Sequence, residues 1–306
     1  MSGEDFGNRA SNVSGFNVIS YTPPDRSHDL IEAALMKISM VASSGIGYLL
    51  PKGSLESHEL RDVRNMFSRL ADLGYDGVEL SIEEPFSTQS RGISKTSEQY
   101  GLEVPAIGTG LIYKYRQLSL SDSDEVNRRR AVKLLTRTIE IGAELNSLVI
   151  IGLMRGRIGS QRIKRIGKFR KSMMECDRIA EREGIQLAIE PLNRYEADYI
   201  NTVEEALNFI SGMKLQSTGL LLDTFHMNIE ESSIEDAIRR GGKKLIHLHV
   251  ADSNRYAPGL GHIEFAHVIK TLAELGYDRY LSAEILTPSS PLKAAQITIK
   301  NLRRLL

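Results

Sequence analysis

From about Leu35 onward, short apolar runs alternate with longer stretches in which apolar residues recur every three or four positions. The runs are LMKISMVAS (35–43), GVELSI (77–82), VPAIGTG (104–110), SLVIIGL (147–153), QLAIEP (186–191), GLLLDT (219–224), IHLHVAD (246–252) and YLSAEI (280–285). Unbroken apolar runs of this length predict eight parallel strands covered on both faces. Between them, Leu60, Val63, Phe67 and Leu70 form a helical stripe, as do Ile166, Phe169, Met173, Cys176 and Ala180. Phe265, Val268, Leu272 and Leu275 form a third. Gly74, Gly184 and Gly276 stand where left-handed C-terminal caps belong. Thr202-x-x-Glu205 and Ser232-x-x-Glu235 read as capping boxes.

ADLGYDGVELS (71–81) echoes AELGYDRYLSAE (273–284), each marking helix, turn and strand. No G-x-G-x-x-G or Walker A pattern follows the first strand, so an open nucleotide-binding sheet is disfavoured. The pattern predicts an α/β chain forming a single (β/α)8 TIM barrel over 35–306. A polar N-terminal extension, 1–34, containing Pro23-Pro24, precedes it.

Composition narrows the partners. Lys+Arg and Asp+Glu both total 39, which lacks the basic excess that duplex nucleic acid favours. No apolar run approaches the ~20 residues that span a bilayer. The first residues lack the apolar core of a signal peptide. Cys176, the single cysteine, excludes an intrachain disulfide and fits a reducing compartment, so a cytoplasmic location is expected, with no nucleic-acid or membrane partner.

The active site of such a barrel lies at the C-terminal ends of its strands. There the sequence offers Glu190 on strand five, Asp223 on strand six, His249 on strand seven and Glu284 on strand eight. Strand alternation aims all four at one point above the barrel axis. Three crowded carboxylates repel unless one takes a proton or a cation joins them. Mixed carboxylate and imidazole ligation favours one divalent ion, Mn²⁺ first, with Mg²⁺ and Co²⁺ as alternatives, and no organic cofactor. The plainer reading is a set of hydrogen-bonded structural polar groups at a barrel mouth.

The strings IEPLNRYEADYINT (189–202), DTFHMNIEE (223–231) and HLHVADSNRYAPGLGHIEF (247–265) resemble the ketose 3-epimerases of the xylose-isomerase-like barrel superfamily. AIGTG (106–110) and VIIGLMRGR (149–157) look most like the 5-keto-L-gluconate epimerase group within it. The resemblance covers about residues 35–305. It implies that Glu190, Asp223, His249 and Glu284 are metal ligands and that Glu190 and Glu284 are also the catalytic pair. It further implies that Glu196, His226 and Arg255 bind substrate, and that the enzyme is a homo-oligomer, dimer or tetramer. Their ordinary alternatives are a loop ion-pair partner, a helix-start histidine and a surface charge.

Inverting a carbon beside a ketone requires proton removal on one face and proton return on the other, through a cis-enediolate. A metal-dependent epimerase acting at C3 of a ketose or keto-sugar acid is therefore expected. Arg155, Arg157, Lys114 and Arg116 in the loops after strands three and four suggest a cationic mouth for a carboxylate or phosphate; surface arginines are the alternative. The rivals are an isomerase or dehydratase on the same site, an abasic-site endonuclease and a non-catalytic sugar-binding protein. The endonuclease needs further histidines at the early strand ends, where this chain has Glu79 and Gly-Thr-Gly. His247 reads as a buried core residue, His262 as a loop residue within reach of substrate, and His28, His58 and His267 as surface residues. Cys176 reads as core packing.

Overall fold

The structure, a computed structural model, describes residues 36–42, 60–287 and 290–306. The expected extension over 1–34 therefore lies outside the described residues, as do His28 and His58. The strands are β1 (Lys37–Ala42), β2 (Gly77–Ser81), β3 (Ala106–Gly108), β4 (Leu148–Ile151), β5 (Leu187–Ile189), β6 (Thr218–Asp223), β7 (Leu245–His249) and β8 (Tyr280–Ala283). They close in sequence order into a barrel, β8 pairing in parallel with β1. The helices are α1 (Arg61–Asp72), α2 (Ser90–Tyr100), α3 (Gly110–Arg116), α4 (Glu125–Leu145), α5 (Arg162–Glu183), α6 (Val203–Met213), α7 (Thr224–Glu230), α8 (Ile234–Gly241), α9 (Phe265–Glu274) and α10 (Pro291–Arg303). Among the described residues no helix is long and apolar enough to cross a membrane.

Two apolar layers hold the barrel. The larger lies between strands and helices and includes Val63, Phe67 and Leu70 of α1 and Phe169, Met173 and Cys176 of α5. Each such side chain contributes roughly 1.5–3 kcal/mol when fully buried. The smaller is the barrel interior: Ala106, Ile150, Ala188, Leu221 and Ile246. The helical stripes fall as the spacing predicts, except that Ile166 is only half-buried and Leu275, just past α9, is exposed. Gly74, Gly184 and Gly276 all take positive φ at helix ends, a conformation glycine adopts without a Cβ clash. The echoed segments share this exit, each helix being capped by a leucine before the glycine.

Thr202 caps α6 by accepting from the Glu205 N–H, as expected. The second cap shifts by one residue. Ser233 rather than Ser232 accepts from the Asp236 N–H, and Glu235 bonds the Ser233 hydroxyl. A run of two serines offers two caps one residue apart, and the helix that buries Ala237 and Ile238 selects the second.

One irregularity matters for the site. The β6–β7 register shifts between Leu220 and Leu221, so that Leu220 pairs with Leu245 but Leu221 pairs with His247 and Asp223 with His249. The extra residue in β7 sets His249 level with Asp223 at the strand ends.

Candidate active site

Asp223 and His249 end β6 and β7, while Glu190 and Glu284 each follow their strands, β5 and β8, by one residue. One ligand atom from each lies within 4.8 Å of the others. From His249 Nδ1 the distances are 3.7 Å to Glu190 Oε1, 3.9 Å to Asp223 Oδ2 and 3.6 Å to Glu284 Oε2. These are too long for hydrogen bonds. Glu190 Oε1, Asp223 Oδ2 and His249 Nδ1 are buried with no hydrogen-bond partner. A single buried unsatisfied polar atom costs about 1–3 kcal/mol. Three aimed at one point, two oxygens and an imidazole nitrogen, could together hold a divalent cation.

The charges agree. Burial raises the Glu190 carboxyl above the usual range, with repulsion from Glu284 adding to the rise. Burial pushes Asp223 up to about 7 against the charges of Arg255 and His249, Glu284 and Glu190 helping the rise. Burial works against Glu284 as well, but the Arg255 charge and His249 hold it down at about 2. A cation at the convergence would offset the repulsion that the carboxylates otherwise relieve with protons.

Beneath this layer lies Glu79 of β2, 1% exposed. Its carboxylate meets His249 Nε2 at 3.0 and 3.1 Å and His247 Nε2 at 2.8 Å, and accepts the Ser282 hydroxyl at 2.7 Å. Burial alone raises the Glu79 carboxyl, but the His249 charge and the bonds from His247 and His249 hold it well below the usual range. His249 Nε2 faces Glu79 below, which leaves Nδ1 to face the carboxylates above, where a bound cation would replace its proton. Glu79, His247 and His249 also lie close enough to resemble a second metal cluster. Their mutual hydrogen bonds make them a support for the first. His247 is thus the buried, hydrogen-bonded core residue that strand alternation predicts.

Gly152, just after β4, allows the Glu190 carboxylate to sit where it does, because an added Cβ would collide with Glu190 Oε2. Arg155 Nη1 then donates to the Glu190 carbonyl at 2.9 Å.

A cavity of about 410 Å³ opens over this cluster, and its lining includes Glu196, His226, Arg255 and Lys114. Arg255 Nη2 donates to Glu284 Oε2 at 2.7 Å and its Nη1 to Glu196 Oε1 at 3.4 Å. Its guanidinium carbon stands 4.7 Å over the Phe225 ring. The backbone of Arg255 is held at φ 60, a left-handed conformation that costs an arginine energy. Buried Asp252 organises the loop behind it by accepting the N–H groups of Ser253, Gly259 and Ile263. His226, 2% exposed, begins the turn of α7, its Nε2 at 3.7 Å from Glu190 Oε1 and 3.9 Å from Asp223 Oδ2. Burial and the Arg255 charge push His226 down to about 3, so its ring is neutral.

The expected cationic mouth is corrected in part. Lys114 of α3 lines the cavity, but Arg155, Arg157 and Arg116 are absent from the lining. Arg155 is 1% exposed, and burial lowers it to about 10. The short 3₁₀ turn Leu153–Arg155, followed by Gly156 at φ 79, folds it back under the end of β5. Arg157 is exposed and donates to the Tyr195 carbonyl at 2.5 Å. Arg116 pairs with Glu84 at 2.5 Å. His262 also stays out of the lining, its Nδ1 2.9 Å from the Ser253 hydroxyl. His267 is exposed on α9 and Cys176 is buried in α5, both as expected. Glu79, Gly152 and Asp252 have no assigned role in the sequence reading. A carboxylate inside an apolar strand run is the one signal that points to Glu79.

Residues 67–305 match the xylose isomerase-like TIM barrel family. The L-ribulose 3-epimerase of Mesorhizobium japonicum is 30% identical over 227 residues, covering 73% of this chain and 75% of that enzyme. Two solved structures share the fold. The 3-keto-D-glucoside 4-epimerase of E. coli superposes with a TM-score of 0.75 at 23% identity, covering 88% of this chain and 99% of that one. The D-psicose 3-epimerase of Clostridium cellulolyticum H10, solved with D-tagatose, gives 0.72 at 24% identity, covering 89% and 99%.

Proposed function

The chain belongs to the xylose isomerase-like TIM barrel family and is an isomerase of its carbohydrate-epimerase kind; we propose that it inverts C3 of a ketose or keto-sugar acid. The observation that carries this reading is the approach of Glu190 and Glu284 to one point from non-adjacent strands, at the floor of a cavity lined by Glu196, His226 and Arg255. Epimerisation needs two proton-transfer groups on opposite faces of the same carbon. One carboxylate takes the C3 proton to give a cis-enediolate, and the conjugate acid of the other returns a proton to the opposite face. The reverse reaction exchanges their roles. Arg255, bound to both Glu284 and Glu196, ties a substrate-binding carboxylate to a proton-transfer carboxylate in one rigid unit.

Glu190, Asp223, His249 and Glu284 would hold the divalent ion, which we read as Mn²⁺ with Mg²⁺ or Co²⁺ as substitutes. When bound, it supplies the positive charge that lowers the energy of the enediolate. Lys114 at the rim supports a substrate with an anionic group at the end remote from C3. A cytoplasmic homo-oligomer, dimer or tetramer, completes the reading that the family resemblance suggests.

The test is to strip the protein, reload it with Mn²⁺, and offer neutral ketoses, keto-sugar acids and ketose phosphates in D₂O. NMR should show metal-dependent inversion at C3 with deuterium at that carbon. An aldose product would make the enzyme an isomerase on the same site. Tight binding of one ion with no exchange into any sugar would count against epimerisation and favour a sugar-binding role.

A further inference from the structure

We propose that Asn193 is a positioning residue that locks His226 in its Nε2–H form, making it a neutral hydrogen-bond donor to the substrate oxygen that gains charge during epimerisation. The proposal rests on the epimerase reading above. It begins with two contacts to one ring nitrogen. The Asn193 backbone N–H donates to His226 Nδ1 at 3.3 Å, and the Asn193 side-chain nitrogen lies 2.8 Å from the same atom. A backbone N–H can only donate, so Nδ1 is an acceptor, and a neutral ring must carry its proton on Nε2.

The orientation of the Asn193 carboxamide is set independently. Its oxygen accepts the N–H groups of Tyr195 at 3.0 Å and Glu196 at 3.2 Å. With the oxygen engaged in that turn, the amide nitrogen faces the other way, toward His226 and toward Glu196 Oε1 at 3.1 Å. One buried carboxamide thus orients two residues of the cavity lining.

A competing contact favours the opposite tautomer. Arg255 Nη1 is 3.4 Å from His226 Nε2, and an arginine is also an obligate donor. It loses on geometry. Asn193 presents two donors to Nδ1, the nearer at 2.8 Å, while Arg255 Nη1 stands at 3.4 Å from Nε2 and is shared with Glu196 Oε1 at 3.4 Å. The guanidinium beside Nε2 also opposes a second proton on the ring. His226 is therefore a donor and not a third base, consistent with its place beside the ligand oxygens of Glu190 and Asp223. A preorganised donor at developing negative charge is worth about 10²–10³ in kcat.

The deciding variant is Asn193→Asp. It keeps the volume and the oxygen that accepts from Tyr195 and Glu196, so the turn survives, but it replaces the donor facing Nδ1 with an acceptor. ¹⁵N-histidine NMR of the Mg²⁺-loaded protein, with the His226 signals assigned by their absence in His226→Gln, reads the tautomer directly. The wild type should show a bare Nδ1 and a protonated Nε2; N193D should show a proton on Nδ1. With the ketose substrate, N193D should lose about 100-fold in kcat with the melting temperature nearly unchanged. A wild-type spectrum with the proton on Nδ1 would overturn the proposal. So would an N193D enzyme with unchanged tautomer and kcat, since a merely structural asparagine predicts that result. If the wild type epimerises no ketose, the epimerase reading fails and the donor role falls with it, while the spectra still decide whether Asn193 sets the tautomer.

Discussion

The two halves of the barrel divide the work. Each strand from β5 to β8 delivers one charged or titratable side chain to a common point: Glu190, Asp223, His249 and Glu284. Among the described residues, the ends of β3 and β4 deliver mostly space, with Gly108, Gly110 and Gly152 beside Thr109, Ile150 and Leu153 in the lining. The first set places charges; the second keeps a wall thin enough for the Glu190 carboxylate beside Gly152. Glu79 crosses the divide, reaching from β2 to His247 and His249 of β7 and Ser282 of β8. A strict split between chemistry and shape therefore fails at Glu79, which lies below the point where the four side chains converge.

The largest effects should come from the ligand half. Asp223→Asn or His249→Ala should abolish tight binding of Mn²⁺, measured by isothermal titration, and Glu190→Gln or Glu284→Gln should cut kcat by about 10³-fold or more. Chelation should reproduce the loss and readdition of Mn²⁺ restore it. Next comes the shape half: Gly152→Ala places a methyl against Glu190 Oε2 and should cost roughly 100-fold in kcat through displacement of that carboxylate. If G152A keeps full activity, the glycine is not there to make room for Glu190. At the crossing point, Glu79→Gln should weaken Mn²⁺ binding by about 10- to 100-fold without unfolding the barrel, as checked by circular dichroism. Smallest, Lys114→Ala should raise KM by less than about 10-fold, and only for an anionic substrate, because an exposed lysine acts through a screened charge.

The sequence exposes the fold well because its signal is local. Eight apolar runs become eight strands, and the four candidate ligands sit within one residue of strand ends, where barrel function concentrates. What it hides is long-range. Glu79 and His249 are 170 positions apart, and no periodicity marks the pair. The β7 irregularity that levels His249 with Asp223 is equally silent, since IHLHV reads as a regular strand. Arg155 misleads for a related reason: arginines after a strand usually meet solvent, yet here a 3₁₀ turn sends one inward to the Glu190 carbonyl. Lys114, by contrast, stands in the lining where its place after the third strand suggests.

The Glu79 contact also bears on how the site is assembled in time. All four candidate ligands lie between residues 190 and 284, in the second half of the chain. The orientation of His249 nevertheless depends on a carboxylate from β2, brought in only when the barrel closes across that long separation. Such distant pairing must meet its loop-closure entropy before the contact offsets it, and is slow to form. High-affinity capture of a divalent ion should therefore lag behind ring closure, making the ion a reporter of the finished barrel rather than a seed for it.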